Sequence, residues 1–124
     1  MAYVHVEQAV KYFYREDGTP MLVLDGVSFD AKEHGITCLL GPSGCGKSTL
    51  LNVIAQLERL DQGRVETVSN RGGLGTRPPQ LGYVFQDPRL LNWKRVEDNL
   101  IFALKGMEVP RSQWDDRLNK YLEM

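Results

Sequence analysis

Apolar residues recur along this chain with two different periods. Between Tyr3 and Val10 apolar and polar positions alternate closely enough to predict a strand. The polar run Arg15-Glu-Asp-Gly-Thr-Pro20 reads as a turn. Residues 21–31 predict a second strand, because Val27, Phe29 and Ala31 alternate with Ser28 and Asp30; Asp25-Gly26 reads as a local turn within it. Ile36-Thr-Cys-Leu-Leu40 is short, mostly apolar and not alternating. That is how a strand buried on both faces in the middle of a parallel sheet is written.

The helical period takes over after a glycine-rich stretch. Leu50, Val53, Ile54 and Leu57 recur at i, i+3, i+4 and i+7, which predicts a helix that Asp61-Gln-Gly63 stops. Arg64-Val-Glu-Thr-Val68 and Leu81-Gly-Tyr-Val-Phe85 suit strands, and residues 70–79, with three glycines and two prolines, suit a loop between them. Beyond Asp87 the pattern is helical. Val96, Asn99, Leu100, Ala103 and Leu104 predict one helix. Ser112 reads as the N-cap of another, with Asp115 at its third position and Trp114, Leu118, Tyr121 and Leu122 on one face. That pattern is still running at Met124.

Composition narrows the classes. A chain of 124 residues suits one small domain. A formal net charge of −1 gives no pointer to nucleic acid or to an anionic membrane surface. No apolar run reaches the roughly 18 residues of a membrane span. Met-Ala-Tyr-Val-His-Val-Glu at the N-terminus lacks the basic and apolar regions of a secretory signal. The expected compartment is the cytosol, where Cys38 and Cys45 stay reduced; their spacing matches no zinc or redox motif, and both are expected as small residues near a packed loop. His5 and His34 are expected at the surface or in turns.

The chemistry is concentrated in Gly41-Pro-Ser-Gly-Cys-Gly-Lys-Ser48, which fits the phosphate-loop spacing and follows a predicted strand. Each residue type has a reason. Glycines let the backbone curl so that N–H groups converge on phosphate oxygens. Lys47 supplies a positive charge to the β- and γ-phosphates, and the Ser48 hydroxyl suits Mg²⁺, a hard cation. The helix that starts here turns its positive end to the same phosphates. The expected ligand is a nucleoside triphosphate, ATP with Mg²⁺.

At these residues the chain resembles a known family. Leu-Leu-Gly-Pro-Ser-Gly-Cys-Gly-Lys-Ser-Thr-Leu-Leu, from Leu39 to Leu51, looks like the Walker A segment of ATP-binding cassette (ABC) transporter ATPases. Val23-Leu-Asp-Gly-Val-Ser-Phe29, Leu57-Glu-Arg, Gly63 and Tyr83-Val-Phe-Gln86 fall where the family has similar residues. Asp87-Pro-Arg-Leu-Leu-Asn-Trp93, with Val96 and Asp98-Asn99, is similar to the subgroup that powers nitrate, sulfonate and taurine importers. Some positions depart from the family: His34-Gly35 stands for a usual Gly-Glu, Gln56 for a glycine and Asn92 for a proline. A nucleotide kinase or GTPase is a poorer match, since Gln86-Asp-Pro-Arg-Leu-Leu is present and no Asn-Lys-x-Asp segment is.

The resemblance implies an α/β fold of the P-loop NTPase type: an incomplete ABC nucleotide-binding domain with an N-terminal antiparallel β-subdomain and the start of the helical subdomain. Residues 1–86 would be the β-subdomain and phosphate-loop core, and 87–124 the Q-loop and first helices. Gly41, Pro42, Ser43, Gly44, Cys45, Gly46, Lys47, Ser48 and Thr49 would wrap the triphosphate, and Ser48 and Gln86 would reach Mg²⁺. Lys47 and Gln86 are the residues of the hydrolytic site that it places here. Phe13, or in its place Tyr12 or Tyr14, would stack on adenine. Arg89 to Trp93 would lie near the groove for a membrane permease, although Leu90, Leu91 and Trp93 equally suit packing between subdomains. A homodimer and a position on the cytoplasmic face of the membrane are implied too.

The family's Leu-Ser-Gly-Gly-Gln-type signature, Walker B aspartate, catalytic glutamate and switch histidine are not found among these residues. The chain therefore reads as the N-terminal portion of such a domain, either an importer's energy-coupling subunit or a non-hydrolysing, nucleotide-holding or permease-binding module. Little or no hydrolysis and marginal stability alone are expected.

Overall fold

The computed structural model of the chain describes residues 3–68 and 81–122. It divides into two compact units, Met1–Tyr83 and Val84–Met124.

The first unit is built on three strands, β1 (Tyr3–Tyr14), β2 (Pro20–Ala31) and β3 (Gln62–Val68), and one helix, α1 (Lys47–Ile54). The strands form an antiparallel sheet in the order β2-β1-β3. The β1–β2 hairpin closes through Arg15 and Thr19, where Asp17 caps the turn by accepting the Thr19 N–H at 2.8 Å.

The two long strands do not keep a simple alternation. Val6 and Ala9 are both buried although three positions apart; on β2, Leu24 is buried and Val27, the partner of Ala9, is half-buried, again three positions apart. Bulges cause this. Between Val6↔Phe29 and Ala9↔Val27, β1 carries the extra residue, with Gln8 at φ 47°. Between Ala9↔Val27 and Lys11↔Leu24 the extra residue is on β2, with Gly26 at φ 64°. The second slip cancels the first. Asp25-Gly26, read above as a turn, is this bulge within a continuous strand. Gly63 crosses over Gln8 on the other side of β1, where an added Cβ would lie 2.1 Å from the Gln8 carbonyl oxygen. Only glycine fits there.

Helix α1 lays Leu50 and Val53 on Val6, Ala9 and Leu24, and Leu39, Ile54, Leu60 and Val65 complete the core. The helix ends sooner than its apolar period predicts. Gln56 takes φ 60°, and the Leu57 and Glu58 N–H groups both turn back to the Asn52 carbonyl. Leu57 is left exposed.

The strands expected at residues 36–40 and 81–85 are not formed; both segments lack ladder bonds. Leu39 reaches the core, but Ile36 and Leu40 are 95% and 92% exposed, and Val84 is 96% exposed. A doubly buried strand needs parallel neighbours, and no described residue supplies one. The loop expected over residues 70–79 lies outside the described residues.

The second unit holds α2 (Val96–Gly106), a short 3₁₀ turn at Arg111–Gln113 and α3 (Trp114–Leu122). Glu97 and Asp98 in the first turn and Lys105 in the last suit the dipole of α2. Ser112 is not the N-cap. It lies inside the 3₁₀ turn, which Pro110 opens by accepting the Gln113 N–H at 2.9 Å. Of the face expected on α3, Leu118 is buried and Trp114 half-buried, its indole donating to the Val109 carbonyl at 2.9 Å, while Tyr121 and Leu122 are exposed. Among the described residues no helix is long and apolar enough to cross a membrane.

Candidate phosphate-binding site

The glycine-rich loop runs from the core residue Leu39 into the first turn of α1. Its shape depends on glycines at three points, each for a different reason. An added Cβ on Gly41 would meet the Cys45 sulfur at 2.7 Å. Gly44 has φ 80° with open space around it, so backbone conformation alone selects it. Gly46 has φ 97° and is buried against β2; an added Cβ would lie 2.7 Å from the Val23 carbonyl oxygen and 3.0 Å from Leu24. Val23 is itself the extra residue of a third bulge, between Lys11↔Leu24 and Tyr12↔Leu22. The loop is therefore seated on an irregular point of the sheet.

Gly46 is also the N-cap of α1, in the left-handed region. Among the described residues no side chain caps this helix, and its first turn carries no acidic residue. The helix end thus presents amide hydrogens and a partial positive charge to whatever lies above the loop. Lys47 turns back across the loop, and its Nζ donates to the carbonyls of Gly41 at 2.7 Å and Pro42 at 2.6 Å, with the Cys45 Sγ 3.6 Å away. The ammonium is thereby held against the backbone at the start of the loop. Ser43, Gly44, Cys45 and Ser48 are exposed, Thr49 half-buried. This donor set fits a polyphosphate: backbone amides, one ammonium and a free helix N-terminus. The exposed Ser48 hydroxyl, in the first turn of α1, suits a hard cation carried by that phosphate.

Of the aromatics, Phe13 pairs with Met21 and Tyr12 with Leu22, one or two positions along β2 from the Val23 seat of the loop. Phe13 is half-buried, with Lys11 Nζ 5.2 Å from its ring centroid. Lys11 pairs with Glu58 at 3.2 Å, and the Tyr12 N–H donates to Asp61 at 2.7 Å, so the turn after α1 holds this end of β1. Tyr14 lies at the hairpin, opposite Pro20, and is exposed. Gln86 belongs to the second unit and is exposed, as are Arg89, Leu90 and Trp93; the Arg89 guanidinium stacks on Phe85, 4.8 Å from its centroid.

Neither cysteine is packed away. Cys38 and Cys45 are free and exposed, Cys38 on a segment beside which no strand lies among the described residues. His5 pairs with Asp30 at 2.6 Å, and His34 sits in a turn at φ 60°. No cluster of metal-ligating side chains occurs among the described residues.

Sequence reasoning missed the Val23 seat, although a glycine beside the Lys-Ser pair that must lie against a strand was a signal for it. It also missed a hydrogen bond from the Tyr83 hydroxyl to Asn52 Oδ1, at 2.8 Å, for which the sequence holds no local signal.

A glycine curve seated on a strand, a lysine across it and an uncapped helix behind it define a P-loop α/β protein. The family model described as ABC transporter matches residues 24–124, and the chain belongs to that family. It is 40% identical over 119 residues to the taurine import ATP-binding protein TauB of Rhizobium johnstonii, covering 96% of this chain and 45% of that protein. It is 43% identical over 101 residues to the aliphatic sulfonates import ATP-binding protein SsuB 2 of Mesorhizobium japonicum, covering 82% and 36%. Against the Fe(3+) ions import ATP-binding protein FbpC of Streptomyces avermitilis the identity is 39% over 105 residues, covering 82% and 30%. The chain thus spans less than half the length of these curated relatives.

Proposed function

We propose that this chain is an ATP-binding subunit of an ABC-type importer, or the part of one that holds the triphosphate. The observation that carries this reading is Lys47, held by the Gly41 and Pro42 carbonyls across the mouth of a glycine loop, at the uncapped start of α1. Amides of the 41–49 segment and the Lys47 ammonium hold the phosphates. Ser48 supplies an oxygen to Mg²⁺, with Gln86 as a second donor by family resemblance. Mg²⁺, when bound, neutralises charge that builds on the phosphate oxygens. Phe13 offers adenine a ring at the end of β1.

Hydrolysis of the terminal phosphate by water is mostly a matter of positioning and charge stabilisation. The present residues supply the phosphate side of that site. We infer little turnover by this chain alone, and coupling to transport only with a membrane permease, engaged through the segment after Gln86, and with a second ATP-binding domain. The working place is then the cytoplasmic face of the membrane.

A small anion is the favoured cargo. Relatives named for taurine, aliphatic sulfonates and sulfate or thiosulfate support it, and the Asp87 to Trp93 run is similar to that subgroup. The relative named for Fe(3+) keeps the solute itself open to direct transport assay.

Calorimetric titration of the chain with Mg–ATP tests the nucleotide reading. Binding that Lys47→Ala abolishes is expected. A folded wild-type chain without affinity for Mg–ATP overturns it. Lys47-dependent hydrolysis at an enzyme's usual rate overturns the inference of little turnover.

A further inference from the structure

We propose that Lys11 is a positioning residue for the base of the nucleotide: tied down by Glu58, its ammonium fixes the Phe13 ring on which adenine stacks. This rests on the nucleotide reading above, with Phe13 as its base platform.

A lysine two residues before an aromatic on a strand shares its face. From Lys11 to Tyr14 the one slip in the β1–β2 ladder falls on β2, at Val23, so β1 itself keeps that alternation. The Lys11 Nζ accordingly lies over the Phe13 ring, 5.2 Å from its centroid. The Lys11 side chain is only 13% exposed, and a cation so withdrawn from water needs an anion beside it. Glu58 provides one at 3.2 Å. The Glu58 backbone is tied to α1 in turn, because its N–H donates to the Asn52 carbonyl at 3.2 Å. Three residues on, Asp61 accepts the Tyr12 N–H at 2.7 Å, and its own N–H donates to the Val10 carbonyl at 2.9 Å. The turn after α1 thus holds β1 at Val10, Lys11 and Tyr12 in succession.

The two lysines of this region then have separate duties. Lys47 lies at the phosphate loop, against the Gly41 and Pro42 carbonyls. The Lys11 ammonium covers one face of the Phe13 ring, which directs a flat base to the other face and keeps the ring from turning away from it. Losing Lys11 should weaken what the chain gains from the base and leave what it gains from phosphate. A lysine that only braced the sheet would weaken both alike, since the Val23 seat of the phosphate loop is the next step of the same ladder.

The test is calorimetric titration of the full chain with Mg–ATP and, separately, with Mg–tripolyphosphate, which has no base. Lys11→Met keeps the apolar stem and drops the charge. It is expected to weaken Mg–ATP binding by about threefold, the share of one partly exposed cation–ring contact, and to leave tripolyphosphate binding unchanged. Glu58→Gln, which frees the ammonium from its anchor, gives a loss of the same kind. Lys11→Arg keeps the charge and the pair and holds both ligands as the wild type does. In a Phe13→Ala chain, adding Lys11→Met causes no further loss. Equal losses for ATP and tripolyphosphate, an unchanged Mg–ATP affinity in both Lys11→Met and Glu58→Gln, or an undiminished loss in the Phe13→Ala chain overturns the proposal and leaves phosphate binding standing. A wild-type chain that holds tripolyphosphate as tightly as ATP has the same force. A folded wild-type chain that binds neither overturns the nucleotide reading as well.

Discussion

Asn99 serves Leu91 as a strand would. The Leu91 N–H donates to Asn99 Oδ1 at 2.7 Å, and Asn99 Nδ2 donates back to the Leu91 carbonyl at 3.2 Å. The second Nδ2 hydrogen goes to the Arg95 carbonyl at 2.9 Å. One side chain from the first turn of α2 thus gives the Leu91 N–H its acceptor and braces the 91–95 turn, whose Leu91 and Arg95 carbonyls also accept the Lys94 and Asn99 N–H groups.

Asn99→Ala removes all three bonds. Exchange of the Leu91 amide is expected to quicken by on the order of tenfold, each such bond being worth about 1 kcal/mol net. Asn99→Asp keeps the acceptor but not the donors, so the Leu91 amide stays protected while the turn as a whole loosens. Amide exchange followed by NMR distinguishes the two.

Gly46 and Gly44 share a positive φ but differ in surroundings. Gly44→Ala incurs only the backbone strain, about 1 kcal/mol. Gly46→Ala adds a collision with the Val23 carbonyl and is expected to cost about 3 kcal/mol or more. Urea denaturation followed by a probe in the first unit should rank them in that order; equal losses would mean the loop does not rest on β2 as described.

Phe13→Ala is expected to weaken ATP binding by about tenfold, in line with about 1–3 kcal/mol for a base stacked on an aromatic ring. Inorganic tripolyphosphate, which has no base, should bind both forms alike. The same loss in Tyr12→Ala or Tyr14→Ala, and not in Phe13→Ala, would move the stacking role to that residue.

Among the described residues Asp17 gives the one pH-dependent signal. Hydrogen bonding from the Thr19 side chain, and then from its backbone N–H, holds the Asp17 carboxyl below its ordinary value of 3.8. Because the folded turn favours the carboxylate, the contribution is present above the ordinary value and is lost as pH falls through the lower, folded one. An NMR titration of the Asp17 carboxyl should give a lower midpoint in the folded chain than in urea, and Thr19→Ala, which removes the side-chain bond but keeps the backbone N–H, should narrow the gap without closing it.

Ile36 and Leu40, both almost fully exposed on a segment without ladder bonds, should promote self-association of the purified chain. Light scattering at increasing concentration is expected to show it, and Ile36→Lys with Leu40→Lys to reduce it without changing the position of Lys47. A monodisperse wild-type monomer at high concentration would contradict this.

The phosphate loop was legible because its chemistry is local: glycines for backbone freedom, then a lysine and a hydroxyl at the mouth of a helix. The β1–β2 hairpin was legible from alternation and from the polar turn between the strands. The bulges were not, since Gln8 gives no sign that it will take φ 47°, and Asp25-Gly26 reads the same whether the chain turns or merely slips. Apolar pattern misled at residues 36–40 and 81–85. It reports what a segment is suited to lie between, and the described residues offer these two nothing to lie between. Asn52, Tyr83 and Asn99 are polar residues whose partners lie far enough along the chain that no short window joins them.

The paired slips at Gln8 and Gly26 make the lengths of β1 and β2 interdependent, like the threads of a screw and its nut. Losing one residue from either strand near Ala9 would turn half of the sheet inside out, carrying Leu24 or Val6 from core to water. Losing one from each would merely straighten the ribbon. Natural variation in this hairpin should therefore change strand length in matched steps, while position 63, which rides over the same slip, stays without a side chain.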